Sequence, residues 1–251
     1  MSGLVPFALI AAFFVTALLY AAVGFGGGST YAALLALSGL DYRLLPVLAL
    51  ACNIVVVAGS TVRFARAKVT PWRGAILLTA LAAPAAFLGG LTPIKQETFM
   101  LLLGASLLLT GVTMLLPIAN EHEGQPHPMA RMVPVAAAPL GYLAGLVGIG
   151  GGIFLAPLLH LTRWNNARAI AATASLFILV NSLFGLAGQL LKNGTGLLGG
   201  AVYGGLALLI AVAVGGQIGS LLAVKFLPQR IIRWLTAALV IWVGGRLLLG
   251  A

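Results

Sequence analysis

The sequence predicts an all-α polytopic membrane protein made of two inverted repeats. Each repeat is a glycine-broken helix pair, re-entrant or tilted, followed by three long transmembrane helices. Three observations carry this expectation. The first is composition: 61% of the 251 residues are hydrophobic and 7% charged, whereas soluble domains carry roughly a quarter charged residues. The second is a series of helix-length apolar runs separated by short polar breaks, each near the roughly 20 residues that a bilayer-spanning helix needs. The third is a repeated pentapeptide, Gly24-Phe25-Gly26-Gly27-Gly28 returning as Gly148-Ile149-Gly150-Gly151-Gly152. Both copies interrupt long apolar segments.

The first repeat, residues 1–116, opens with an apolar segment over 4–23. It lacks a basic leader and runs straight into the glycines, so it reads as a mature helix and not as a cleaved signal. A short segment follows over 29–38, then long helices over 44–64, 72–90 and 98–116. Residues 117–132 form a linker. The second repeat, residues 133–251, keeps the same order: 133–147, the second glycine break, 153–161, then 169–191, 197–223 and 231–249. Asn53 and Ser60 lie seven apart on the helix after the first break, and Ser175 and Ser182 do so after the second. Seven residues are two helical turns, hence one face.

Charge distribution supplies the orientation. Lys and Arg favour cytoplasmic loops. Eight single crossings would put Arg63, Arg66, Lys68, Arg73, Arg131, Lys192 and Arg246 inside and the other seven of the 14 bases outside, which gives no bias. If each glycine-broken pair enters and leaves on one side, the second repeat is inverted. Arg63, Arg66, Lys68, Arg73, Arg131, Arg163, Arg168, Lys225, Arg230 and Arg233 then fall inside, against Arg43, Lys95, Lys192 and Arg246 outside. Ten against four favours inversion, with both termini outside and the linker cytoplasmic.

The breaks are the expected functional centre. Gly-interrupted apolar segments at matching positions of two halves point to a substrate site near the midplane. Helices starting after such breaks present free N–H groups and a positive dipole end, which suit an anion. Gly26, Gly27, Gly28 and Ser29, with Gly150, Gly151 and Gly152, are therefore the candidate backbone donors. Asn53, Thr173, Ser175, Asn181 and Gln217 are candidate side-chain partners, and Thr30 is a weaker one. The bland alternative is that the glycines let helices touch and the polar side chains bond between helices.

Absences narrow the chemistry. The acids Asp41, Glu97, Glu121 and Glu123 all sit at helix ends or in loops, so no embedded carboxylate serves as a proton relay or cation ligand. No activated nucleophile or acid/base pair is evident, so no enzyme activity is expected and no cofactor is implied. Glu121, His122, Glu123 and His127 superficially resemble a metal site but read as a solvated connection. His160 and the single cysteine, Cys52, read as packing. The net charge of +10 sits at helix ends and does not indicate nucleic acid. The expected partners are a small anion and the lipid bilayer, with room left for a homo-oligomer.

The two glycine motifs, each followed by a short apolar helix, together with residues 163–182 reading RWNNARAIAATASLFILVNS, give a chain that resembles the TauE/SafE family of bacterial and archaeal membrane transporters. That family is named for sulfite export, and the resemblance spans nearly the whole chain. It implies a multi-pass inner-membrane carrier for small sulfur-containing or organic anions such as sulfite, sulfonates or sulfoacetate. The substrate class comes from this resemblance alone. An anion channel, or a scaffold protein in which the glycines only pack helices, are the alternative readings.

Overall fold

A computed structural model describes residues 6–23, 26–115, 128–194, 196–222 and 229–249, and among these every regular element is helical. In the first half α1 spans Phe7–Val23, α2 Gly28–Leu37, α3 Leu44–Arg66, α4 Trp72–Leu91 and α5 Gln96–Leu115. A short 3-10 turn, Pro128–Met132, leads into α6, Val133–Val147. Then come α7 (Gly152–Leu161), α8 (Ala167–Asn193), α9 (Gly196–Leu222) and α10 (Gln229–Leu249). The linker residues Glu121, His122, Glu123 and His127 lie outside the described residues, as do Gly24 and Phe25.

The helix boundaries have local causes. Asn166 starts α8 two residues before the expected position, because its Oδ1 accepts a hydrogen bond from the Ala169 N–H at 2.9 Å and satisfies an orphan donor of the first turn. Gly194, at φ 72, ends it. Among the described residues five helices, including α3, α4, α5 and α8, are long and apolar enough to cross a membrane. By contrast, α2 and α7 have ten residues each and reach only about 15 Å at 1.5 Å per residue, half of a hydrocarbon core.

Polarity runs inside out. Large apolar side chains such as Leu101, Leu109, Val135, Ile210 and Trp242 face outward, while Thr16, Asn53, Thr110, Ser175, Asn181 and Gln189 are buried. In water this distribution would leave a broad apolar surface uncovered. In lipid it places apolar atoms against acyl chains and groups the polar atoms where other helices can reach them. The protein is a multi-pass membrane protein.

Small residues set the helix contacts. Gly141 and Gly145 of α6 press against Ala82 and Ala86 of α4, and Gly215 and Gly219 of α9 press against Phe14 and Leu18 of α1. Both pairs run parallel, since contact positions advance together along the two chains. Gly104 and Gly111 of α5 meet Leu248 and Ile241 of α10, so that pair is antiparallel. The contacts have counterparts with the halves exchanged: α1 on α9 corresponds to α6 on α4, and α3 on α9 to α8 on α4. The halves are thereby interlocked, because α4 joins the core of α6, α7 and α8. Gly145→Val is expected to lower the unfolding free energy in detergent by about 1–3 kcal/mol through overpacking, since its new side chain would meet the Ala86 carbonyl. An unchanged thermal midpoint would show that the α4–α6 seam has slack.

Candidate functional site

The two breaks meet. Gly27 and Gly151 occupy equivalent places, each immediately before a short helix and each in the left-handed region, at φ 76 and φ 78. Gly148 and Gly150 are also left-handed, at φ 80 and φ 83. L side chains pay for that conformation and glycine does not. Neither Gly27 nor Gly151 supplies a side-chain cap for the first-turn N–H groups of α2 and α7; in α7 the Phe154 N–H donates to the Gly151 carbonyl at 3.1 Å.

Gly26 and Gly28 serve a different purpose. A Cβ on Gly26 would come within 2.6 Å of Asn53 Oδ1, and one on Gly28 would strike both the Asn53 amide and the Ile149 carbonyl. A Cβ on Gly150 would lie 2.6 Å from Asn53 Nδ2 and 2.9 Å from Ser182 Oγ. Asn53, fully buried in α3, is thus the point on which both breaks converge. Its Nδ2 donates to the Ile149 carbonyl at 3.0 Å, tying the first half to the second break.

The first broken pair doubles back. Tyr31 of α2 stacks on Phe13 of α1 at 4.8 Å between ring centroids, and the Tyr20 and Thr30 hydroxyls lie 2.9 Å apart. A chain continuing straight past residue 23 would carry Tyr31 away from Phe13. The fold therefore returns α2 along the flank of α1.

Three other candidate side chains lie in the first turn of α2 or on α8, the helix that the second break packs against. Ser29 is buried in the first turn of α2, and its Oγ has no protein partner, as is also true of Asn53 Oδ1 and Ser182 Oγ. Asn181, adjacent to Ser182 but about 100° round the helix, is fully buried with both amide atoms unpartnered. Ser175 is buried one turn nearer the start of α8 than Ile178, the residue that Gly152 contacts. Thr173 lies further along and bonds back to the Ala169 carbonyl at 2.8 Å. Gln217 is apart from the breaks: it faces Gly59 beside the Arg63 guanidinium, six residues and roughly 9 Å along α3 from Asn53. His160 is half-buried at the end of α7, and Cys52 is buried in α3.

The contacts also correct the register suggested by the polar spacing. Gly26 meets Asn53 and Val57, and Gly150 meets Ile178 and Ser182. Asn53 therefore corresponds to Ile178, and Val57 to Ser182; Ser175 is not the counterpart of Asn53. Each half contributes one polar group, but from successive turns. Ser182 was legible only as a spacing marker, and the Ile149 carbonyl carried no sequence signal. Gln189 was also missed, although an amide inside an apolar helix is a signal. It is buried in α8, and its Nε2 donates to the Gly145 carbonyl at 2.9 Å and the Leu146 carbonyl at 3.3 Å, capping the end of α6 just before the second break.

The family whose model is described as sulfite exporter TauE/SafE matches residues 9–247. This chain belongs to that family. Curated relatives agree. A protein of Sinorhizobium fredii named "Probable membrane transporter protein y4hK" is 34% identical over 249 residues, covering 96% of this chain and 97% of its own. A similarly named protein of Methanocaldococcus jannaschii is 24% identical over 86% of this chain and 84% of its own. "Probable membrane transporter protein YunE" of Bacillus subtilis is 21% identical over 87% and 89%. No solved structure matches the chain. The TauE/SafE chain is accordingly a membrane transporter and not an enzyme, and its work requires a lipid bilayer and a small substrate.

What the site of this TauE/SafE transporter can do chemically follows from its atoms. It offers helix-start N–H groups, hydroxyls that donate or accept, and one amide. Among the described residues no cluster of His, Cys, Asp and Glu suited to a metal ion occurs. A ligand held there would be gripped by hydrogen bonds and dipoles, and among the described residues no side-chain cation contacts the glycines of the breaks.

Proposed function

We propose that this chain is an alternating-access carrier of small anions, sulfite, sulfonates, sulfoacetate or similar organic and sulfur anions, bound between the two glycine breaks around Asn53. One observation carries the reading: the two glycine breaks converge on a single buried amide, with the unpartnered Ser182 hydroxyl close by and the buried, unpartnered Ser29 hydroxyl one residue after Gly28. Leaving such groups unmatched in a low-dielectric interior costs roughly 1–3 kcal/mol each. A substrate that takes up their hydrogen bonds recovers that cost. Gly26, Gly27, Gly28, Ser29, Gly150, Gly151 and Gly152 supply backbone donors; Asn53, Ser175 and Asn181 supply side chains. Thr173 and Gln217 belong to the routes on either side.

The inverted arrangement draws support from which bases share an end of the molecule. Arg43 and Lys192 line one cavity, whereas eight single crossings would put them on opposite faces. Trp164 packs on Gly74, bringing the loop that carries Arg163 to the end that carries Arg73, as inversion requires. The start of α3 lies beside the end of α8, so these corresponding helices run in opposite directions. With both termini outside and residues 117–132 cytoplasmic, rocking of one repeat against the other would expose the site to each side in turn.

Uptake of labelled sulfite, methanesulfonate, sulfoacetate and a carboxylate control into proteoliposomes tests the carrier. The expected result is saturable uptake of a sulfur anion with counterflow. Conduction that does not saturate and shows no counterflow would make the protein a channel. No flux of any anion, together with no binding, would leave the scaffold reading.

A further inference from the structure

A second basic feature lies outside the glycine centre. A cavity of about 370 Å³ is walled by Tyr42, Arg43 and Pro46 from the start of α3 and by Gln189, Lys192 and Asn193 from the end of α8. Ile94, Phe99 and Leu146 supply apolar wall. The volume lies within the range of small-molecule sites. Its lining includes two cations and, among the described residues, no carboxylate.

Both cations are positioned by non-acidic partners. Lys192 is half-buried, and its Nζ donates to the Thr92 carbonyl at 3.3 Å. Arg43 keeps its guanidinium over the Tyr42 ring, 5.7 Å from the centroid. Asp41 is the neighbouring acid, but its carboxylate accepts the Arg43 backbone N–H at 3.0 Å and lines only an adjoining depression. A half-buried ammonium has lost part of its hydration, and an anion in the cavity would offset that loss.

The cavity is aimed at the second break. Its floor includes Pro46 and Leu146; Pro46 is also the residue that Gly148 packs against, and Leu146 is held from α8 by Gln189. Along α8, Ser182, Gly185, Gln189 and Lys192 follow at spacings of three, four and three residues, so they share one face. That face runs roughly 15 Å from the buried centre to the cavity. One wall comes from each half of the chain, so the cavity changes shape when the halves move.

We infer that the Arg43–Lys192 cavity is an anion-collecting vestibule, a separate subsite where a hydrated oxyanion or an organic sulfonate docks before passing Pro46 and Leu146 to the glycine breaks. Lys192 supplies its fixed charge, and Arg43, exposed at the rim, draws anions in. The transport part of this inference rests on the carrier reading; the binding part does not.

The test uses the purified full chain with sulfate, sulfite and methanesulfonate as probes. Anion-dependent shifts in thermal midpoint are compared for wild type, Lys192→Gln, Lys192→Arg, Arg43→Gln and Arg131→Gln. Lys192→Gln should raise the half-saturating anion concentration about tenfold and Arg43→Gln about threefold, while Lys192→Arg and Arg131→Gln stay within twofold of wild type. The Arg43→Gln effect should fade in concentrated inert salt, which screens exposed charge. In proteoliposomes the same two charge losses should raise KM with little change in kcat. Unaltered half-saturation and KM in both Lys192→Gln and Arg43→Gln would overturn the vestibule while leaving the carrier intact. If Lys192→Gln does not fold, Arg43→Gln decides the matter. Wild type that transports no probe would count against the carrier alone, and the thermal shifts would still judge the cavity.

Discussion

Gly28→Ala is expected to cut anion uptake tenfold to a hundredfold. The added methyl would have to occupy the place where Asn53 and the Ile149 carbonyl already meet the first break. Overpacking of this kind costs about 1–3 kcal/mol, and about 1.4 kcal/mol corresponds to a factor of ten. Here the strain falls on the hydrogen bond that joins the two halves. Gly245→Ala is the control: among the described residues no neighbouring helix comes within 4 Å of its Cβ position, and replacing a helix-interior glycine gains up to about 1 kcal/mol. Initial uptake rates in proteoliposomes, normalised to folded protein, make the comparison. Equal rates for Gly28→Ala and wild type would remove the first break from the site.

Asn53→Asp should do more damage for almost no change in shape. The carboxylate has no N–H to give the Ile149 carbonyl, so the 3.0 Å bond becomes a contact between two acceptors. At a fully buried position, ionisation costs about 2.5–3.5 kcal/mol on insertion scales. A bound anion near 4 Å would be repelled by roughly 4 kcal/mol at an effective dielectric constant of 20. Uptake should vanish at neutral pH. A protonated carboxyl has an O–H, so acidification that neutralises the new side chain also gives it back a donor. Uptake should therefore recover partly on acidification, against a wild-type profile measured in parallel. A variant that folds and transports like wild type at every pH would exclude Asn53.

Much of the fold was legible because lipid imposes it. A spanning helix must satisfy its own backbone and clothe itself in apolar atoms, so α3, α4, α5 and α8 stand out as runs of the required length. The ends were less legible, since Asn166 sets the start of α8 through a side-chain bond that hydropathy does not register. The breaks were visible because a left-handed backbone and close approach both demand glycine. Which glycine meets which demand was not: Gly27 and Gly151 need φ, whereas Gly26 and Gly28 need room for Asn53. Ser175 was misaligned with Asn53 for a related reason. Seven-residue spacing fixes a face but not a register between two helices, and only the contacts of Gly26 and Gly150 align them. The cavity of Arg43 and Lys192 joins residues 149 positions apart, and no local pattern announces such a meeting.

The exchange of α4 and α9 between the halves has a consequence for how the protein is made. As the chain leaves the ribosome, Phe14 and Leu18 of α1 wait for Gly215 and Gly219 of α9, about 200 residues later. Ala82 and Ala86 of α4 wait in turn for Gly141 and Gly145 of α6. Until α9 is synthesised, that face of α1 has no α9 to pack against, and the seam closes only once both helices are made.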